Sequence, residues 1–75
     1  MGKSITHQYI LVKFGRRLQK IRKSNRISQE ELAERLVMHR TYIGMIERGE
    51  RNPTIRTLYK IAKALKVSAS ELLPF

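Results

Sequence analysis

The side chains best suited to chemistry stand together at residues 40–42, where Arg40, Thr41 and Tyr42 bring a planar guanidinium, a hydroxyl and a phenol into one short stretch. These groups recognise rather than react. An Arg fork matches the O6 and N7 acceptors of guanine, and a good bidentate pair supplies about 1–3 kcal/mol of discrimination between bases. A Thr hydroxyl donates to a phosphate or a base and its methyl meets thymine, while a Tyr ring packs on the sugar–phosphate backbone. Gly44 and Met45 follow. Gly44 serves either a close approach to a ligand or tight packing of its neighbours, and weakens a helix by about 1 kcal/mol relative to Ala. Catalytic readings find no support: the chain has no Cys and no Asp, and its two His, His7 and His39, are far apart in sequence without an obvious second ligand or base. His39 reads as a helix cap or a phosphate neighbour rather than a metal ligand, and nothing implies a cofactor or a small-molecule ligand.

Elements of the right kind surround that stretch. Ser28 with Glu31 spells a capping box, in which each side chain satisfies the other residue's backbone N–H, so a helix is expected from Gln29. Leu32, Ala33 and Leu36 share one face of it while Glu30, Glu34 and Arg35 point elsewhere. The pattern restarts at His39 or Arg40, with Ile43 and Ile46 buried and Gly49 where a C-terminal residue with positive φ belongs. Two short helices joined by a turn, with Leu32, Leu36, Met38, Ile43 and Ile46 as the apolar set, have the spacing of a helix-turn-helix. Before it, a helix from Tyr9 or Ile10 to about Ser24 turns Phe14, Leu18 and Ile21 inward and Arg16, Arg17, Lys20 and Lys23 outward. After it, Asn52-Pro53 ends a loop and Thr54 caps a helix carrying Ile55, Leu58, Ile61, Ala62 and Leu65 to about Lys66. Ser68 with Glu71 forms a second capping box ahead of Leu72 and Leu73. The expectation is a single all-α domain of five helices over residues 1–75, with residues 1–8 loose.

Charge names the class of partner. The chain of 75 residues carries a formal charge of +10, and Lys3, Lys13, Arg16, Arg17, Lys20, Arg22, Lys23 and Arg26 all precede the first acidic residue, Glu30. Such a field speeds association with phosphate backbones. A basic amphipathic first helix also suits a membrane surface, but the motif behind it supplies a packing partner, which favours a core face with a solvated outer face. Without Cys, a signal peptide or an apolar run of membrane-spanning length, a cytoplasmic location is expected and a membrane is not. The MGKSIT start fits the permissive N-myristoylation pattern and reads better as a ragged terminus, while Pro53 rules out glycosylation at Asn52.

The segments SQEELAERLVMHRTYIGMIERGER (residues 28–51) and HRTYIGMIERGERNPT (residues 39–54) resemble the lambda-repressor-like (Xre-type) helix-turn-helix family, and within it the controller proteins of restriction-modification systems. The resemblance runs from about Phe14 to Leu72. It implies a compact five-helix DNA-binding domain in which the second motif helix enters the major groove of double-stranded DNA amino end first. Arg40, Thr41, Tyr42, Gly44 and Met45 would then meet bases or backbone, and Arg40 is the leading base reader. Gln29, at the amino end of the first motif helix, looks like the family's phosphate clamp. Arg48, Arg51 and Asn52 follow as contacts to phosphate or a neighbouring minor groove, with Arg51 preferred. Arg22 and Glu47 match residues that pair with each other in similar domains, and are therefore read as structural. One position departs from the family: Val37 stands ninth in the motif, where Gly is usual and positive φ is favoured, so strain or an altered turn is expected there.

A domain this small has a marginal core, and dimerisation would reinforce it. Leu72, Leu73 and Phe75 are the candidates for that contact, with Ile55 and Tyr59 beside them, and one of the first three is free to cap the core. A symmetric dimer implies pseudo-palindromic half-sites about 34–36 Å apart. The resemblance implies a transcription regulator with RNA polymerase as a further partner, acting near its own promoter to time a restriction endonuclease gene. A phage-type repressor or an antitoxin uses the same fold, and a non-specific nucleic-acid coat or a bare interaction module would also carry this charge.

Overall fold

Every helix stop in the structure up to residue 67 uses one backbone device. The computed structural model describes residues 7–73, which form α1 (His7–Ser24), α2 (Gln29–Leu36), α3 (Arg40–Glu47), α4 (Ile55–Leu65) and α5 (Ala69–Leu72). After each of the first four helices one residue turns left-handed: Arg26 at φ 58°, Val37 at 55°, Gly49 at 77° and Lys66 at 59°. Around each, two backbone bonds close a Schellman motif, as Val37 N–H to Glu34 O at 3.1 Å and Met38 N–H to Ala33 O at 2.9 Å do after α2. Only one of the four positions is Gly.

The helix starts are built from side chains. Ser28 Oγ accepts the Glu31 N–H at 3.0 Å, and Thr54 Oγ1 accepts that of Thr57 at 3.1 Å. The expected box at Ser28 is half formed, because the Glu31 carboxylate turns along the helix to Arg35, 3.6 Å away, in an i,i+4 pair. At α5 the box closes, with the Glu71 carboxylate accepting the Ser68 N–H at 2.9 Å and its hydroxyl at 3.1 Å. His39 holds the N-cap position of α3 without a capping bond from its side chain. The first helix begins at His7, so residues 7 and 8 are helical and not loose; the rest of the expected loose start, residues 1–6, and Phe75 lie outside the described residues.

Leu18, Leu32, Ile43, Ile46, Ile61, Leu65 and Leu72 are fully enclosed at the centre, with Phe14, Ile27, Ala33, Leu36 and Ala62 around them. All five helices contribute or border this cluster, and α3 packs between α1 and α2 while α4 backs α2. Burial of a large aliphatic side chain is worth about 1.5–3 kcal/mol, so these contacts hold the motif in place. The α1–α3 crossing is unusually close: a Cβ on Gly15 would collide with the carbonyl oxygens of Ile46 and Glu47 at the end of α3. Long-range bonds tie the periphery, Arg17 Nε to Glu71 O at 2.7 Å and Arg35 Nη1 to Ala64 O at 3.2 Å. No helix among the described residues is long and apolar enough to cross a membrane.

Candidate nucleic-acid interface

Three helices converge on one buried carboxylate. Glu47, at the end of α3, has a side chain 1% exposed and receives Arg22 from α1 side-on, Nε to Oε2 at 2.6 Å and Nη2 to Oε1 at 3.1 Å. Arg22 uses its remaining nitrogen on the Ile27 carbonyl at 2.7 Å. A third donor comes from α2, Gln29 Nε2 to Glu47 Oε1 at 2.8 Å. A buried charge is tolerated when it is paired and its lone pairs are filled, and this one is. The network fixes the recognition helix against both neighbours and leaves one amide hydrogen of Gln29 for an outside acceptor.

With α3 so fixed, its amino end faces solvent. Arg40 and Thr41 are exposed in its first turn, as entry into a major groove requires. Tyr42 is half-buried, its ring partly against the core, and Met45 is half-buried one turn on. Gly44 is covered in the free chain: a Cβ there would stand 3.1 Å from Arg48 Nη1 and 3.8 Å from Gln29 Oε1. Both readings of this glycine therefore meet at one place, since the side chains packed on it belong to two other candidate contact residues. Arg48 is held by Glu50 through two bonds, Nε to Oε2 at 2.9 Å and Nη2 to Oε1 at 3.2 Å. The hydrogen bond from Arg48 keeps the Glu50 carboxyl below its ordinary range, and the same bond raises the Arg48 guanidinium. Arg51 and Asn52 are exposed in the following loop.

A second surface begins at the far end of this loop, where Asn52, Pro53 and Thr54 form part of its rim. Ile10, Leu11 and Phe14 of α1, Ile55 and Leu58 of α4 and Leu73 line an apolar groove. Ile55 is 84% exposed, Tyr59 60% and Leu73 40%. Leu72 does not belong to this set. It is fully enclosed within its own chain, because the four-residue α5 points it inward as the cap of the core and leaves Leu73 outside. Sequence reading also passed over Gly15, Ile27 and Glu50. Only for Glu50 did a signal exist, a carboxylate two residues from an Arg.

Residues 18–72 match the profile of the helix-turn-helix family. The chain belongs to that family, in its lambda-repressor-like (Xre) type. Among curated relatives, it is 56% identical over 52 residues to the control protein C.SmaI of Serratia marcescens, covering 69% of this chain and 62% of that one. Among solved structures of the family, it resembles the restriction-modification controller protein C.AhdI of Aeromonas hydrophila, with a TM-score of 0.82 and 43% identity over 84% of this chain and 96% of that one. It also resembles the controller protein C.Esp1396I, solved as a tetramer in complex with its natural 35 base-pair operator, with a TM-score of 0.77 and 41% identity over 85% of this chain and 84% of that one. The five-helix arrangement is thus the lambda-repressor-like fold, with the helix-turn-helix at α2 and α3. Other relatives are named as HTH-type transcriptional regulators. Among the described residues no cluster of His and carboxylates is arranged to hold a metal.

Proposed function

We infer that this protein is a sequence-specific regulator of transcription that binds double-stranded DNA as a homodimer and serves as the controller of a restriction-modification system. The observation that carries the reading is the recognition helix itself: α3 is clamped from behind by Arg22 and Gln29 through Glu47, and it projects Arg40 and Thr41 from its amino end. A helix held rigidly with polar residues at its open end can discriminate bases, which a diffuse coat of lysines cannot. In this reading Arg40, Thr41, Tyr42 and Met45 meet base edges and backbone, Gln29 donates its spare amide hydrogen to a phosphate, and Arg48, Arg51 and Asn52 complete the contact. The dimer forms over the groove of α1 and α4, with Ile55, Tyr59 and Leu73 buried between copies, and presents two recognition helices to half-sites one helical turn apart. Bound beside a promoter in the cytoplasm, it acts on RNA polymerase.

Selection of bound duplexes from random DNA tests this directly. A pseudo-palindrome bound about 10³-fold or more above mixed sequence is the expected outcome, and a ratio near one would leave only a non-specific coat.

A further inference from the structure

Arg40, Gly44 and Arg48 stand four residues apart and share one face of α3. Arg48 caps the helix, yet its side chain runs back one turn, and its Nη1 lies over Gly44 where a Cβ would be 3.1 Å away. The guanidinium is thereby carried from the rear of the recognition helix back toward its middle, where it covers Gly44. Glu50 grips the Nε and Nη2 side at 2.9 and 3.2 Å. A guanidinium has two bidentate edges, and a carboxylate on the Nε side leaves the Nη1–Nη2 edge open. Among the described residues that edge has no other protein acceptor. An ion pair this exposed adds little to stability, so its effect lies in orientation.

We propose that Glu50 is a positioning residue for DNA recognition: it holds Arg48 over Gly44 by the Nε–Nη2 side and leaves the Nη1–Nη2 edge for an outside acceptor, making Arg48 a second reader of guanine beside Arg40. The assignment rests on the DNA-binding function proposed above. Two opposed effects of Glu50 follow. Its negative charge weakens attraction to any phosphate backbone, while its grip removes the freedom that Arg48 would otherwise lose on binding. Glu50 therefore lowers general affinity and raises selectivity.

The test measures binding of the selected site and of a mixed-sequence duplex of equal length by the wild type, Glu50→Gln, Glu50→Asp, Arg48→Ala and the Arg48→Ala/Glu50→Gln double variant. All these positions are exposed, so folding is retained. Glu50→Gln should bind mixed DNA more tightly while its selectivity ratio falls about 2–10-fold, the equivalent of ordering one long side chain. Glu50→Asp keeps the charge but is one methylene too short for the same grip, and should lose selectivity without gaining general affinity. Arg48→Ala should relax preference at one guanine, and Glu50→Gln should then change the ratio no further. An unchanged ratio in Glu50→Gln, a loss that persists without Arg48, or an Arg48→Ala effect spread evenly over all sequences would each overturn the assignment. A wild-type ratio near one would instead remove the DNA-reading function on which it stands.

Discussion

Replacing Val37 with Gly should make the protein more stable, although it deletes an apolar side chain. Val37 sits at φ 55°, ψ 51°, the left-handed region in which the Cβ of an L residue crowds the backbone. That conformation costs roughly 1–2 kcal/mol for an ordinary residue, and β-branching places Val at the upper end. The side chain is 91% exposed, so its removal forfeits almost no packing. Against the gain stands the greater freedom of Gly in the unfolded chain, about 0.4–1 kcal/mol. The balance favours Val37→Gly by about 1 kcal/mol, or about 4–8 °C in midpoint for a domain of this size. Chemical unfolding followed by circular dichroism should show a higher midpoint at unchanged slope. Lys66→Gly is the internal control, because Lys66 occupies the same position after α4 at φ 59° without a β-branch. Its gain should be smaller. If Val37→Gly were no more stable than the wild type, or gained less than Lys66→Gly, the strain argument would be wrong.

Other outcomes follow from the same structure. Arg22→Ala strands the Glu47 carboxylate, whose side chain is 1% exposed, and should cost about 3–5 kcal/mol; a melt within about 1 kcal/mol of wild type would show that the pair is dispensable. Arg40→Ala should relax preference at one base pair with the fold intact, whereas Arg51→Ala should weaken binding to all sequences and lower the salt slope by about one unit; the reverse pattern would exchange their roles. Ile55→Asp should leave a folded monomer, since Ile55 is 84% exposed, and sedimentation that still finds a dimer would move the interface elsewhere. Acid should loosen α5: the Glu71 carboxyl is held low by the Ser68 N–H and hydroxyl, so its contribution is present above the ordinary Glu range and is lost as pH falls through the folded value. Glu71→Gln should flatten that part of the stability profile.

Helix positions and the exposed start of α3 were legible because periodicity and capping are local. Leu32, Leu36, Ile43 and Ile46 repeat at helical spacing, and Ser28, Thr54 and Ser68 announce starts through their own side chains. Stops were legible only where a residue type signals them. Gly49 marks its left-handed turn by having no Cβ, but Arg26 and Lys66 adopt the same conformation with nothing in their type to say so, and Val37 was visible only through comparison with a family habit. Contacts between distant segments were hidden for a different reason. That Leu72 rather than Leu73 fills the core depends on the rotation of a one-turn helix, which two adjacent leucines leave undecided. Gly15 reads in sequence as a weak spot in a helix and becomes intelligible only when the end of α3 is seen against it.

That backbone-to-backbone contact bears on operator geometry. Between α1 and α3 at Gly15 no yielding side chain intervenes, so the two helices form one stiff piece. The same α1, through Ile10, Leu11 and Phe14, borders the groove assigned to the second copy. In the dimer, the separation of the two recognition helices would then be gauged by α1 and not by the turn between α2 and α3. Changes in the turn would alter which bases are read within a half-site, while changes at Gly15 would alter how many base pairs lie between half-sites.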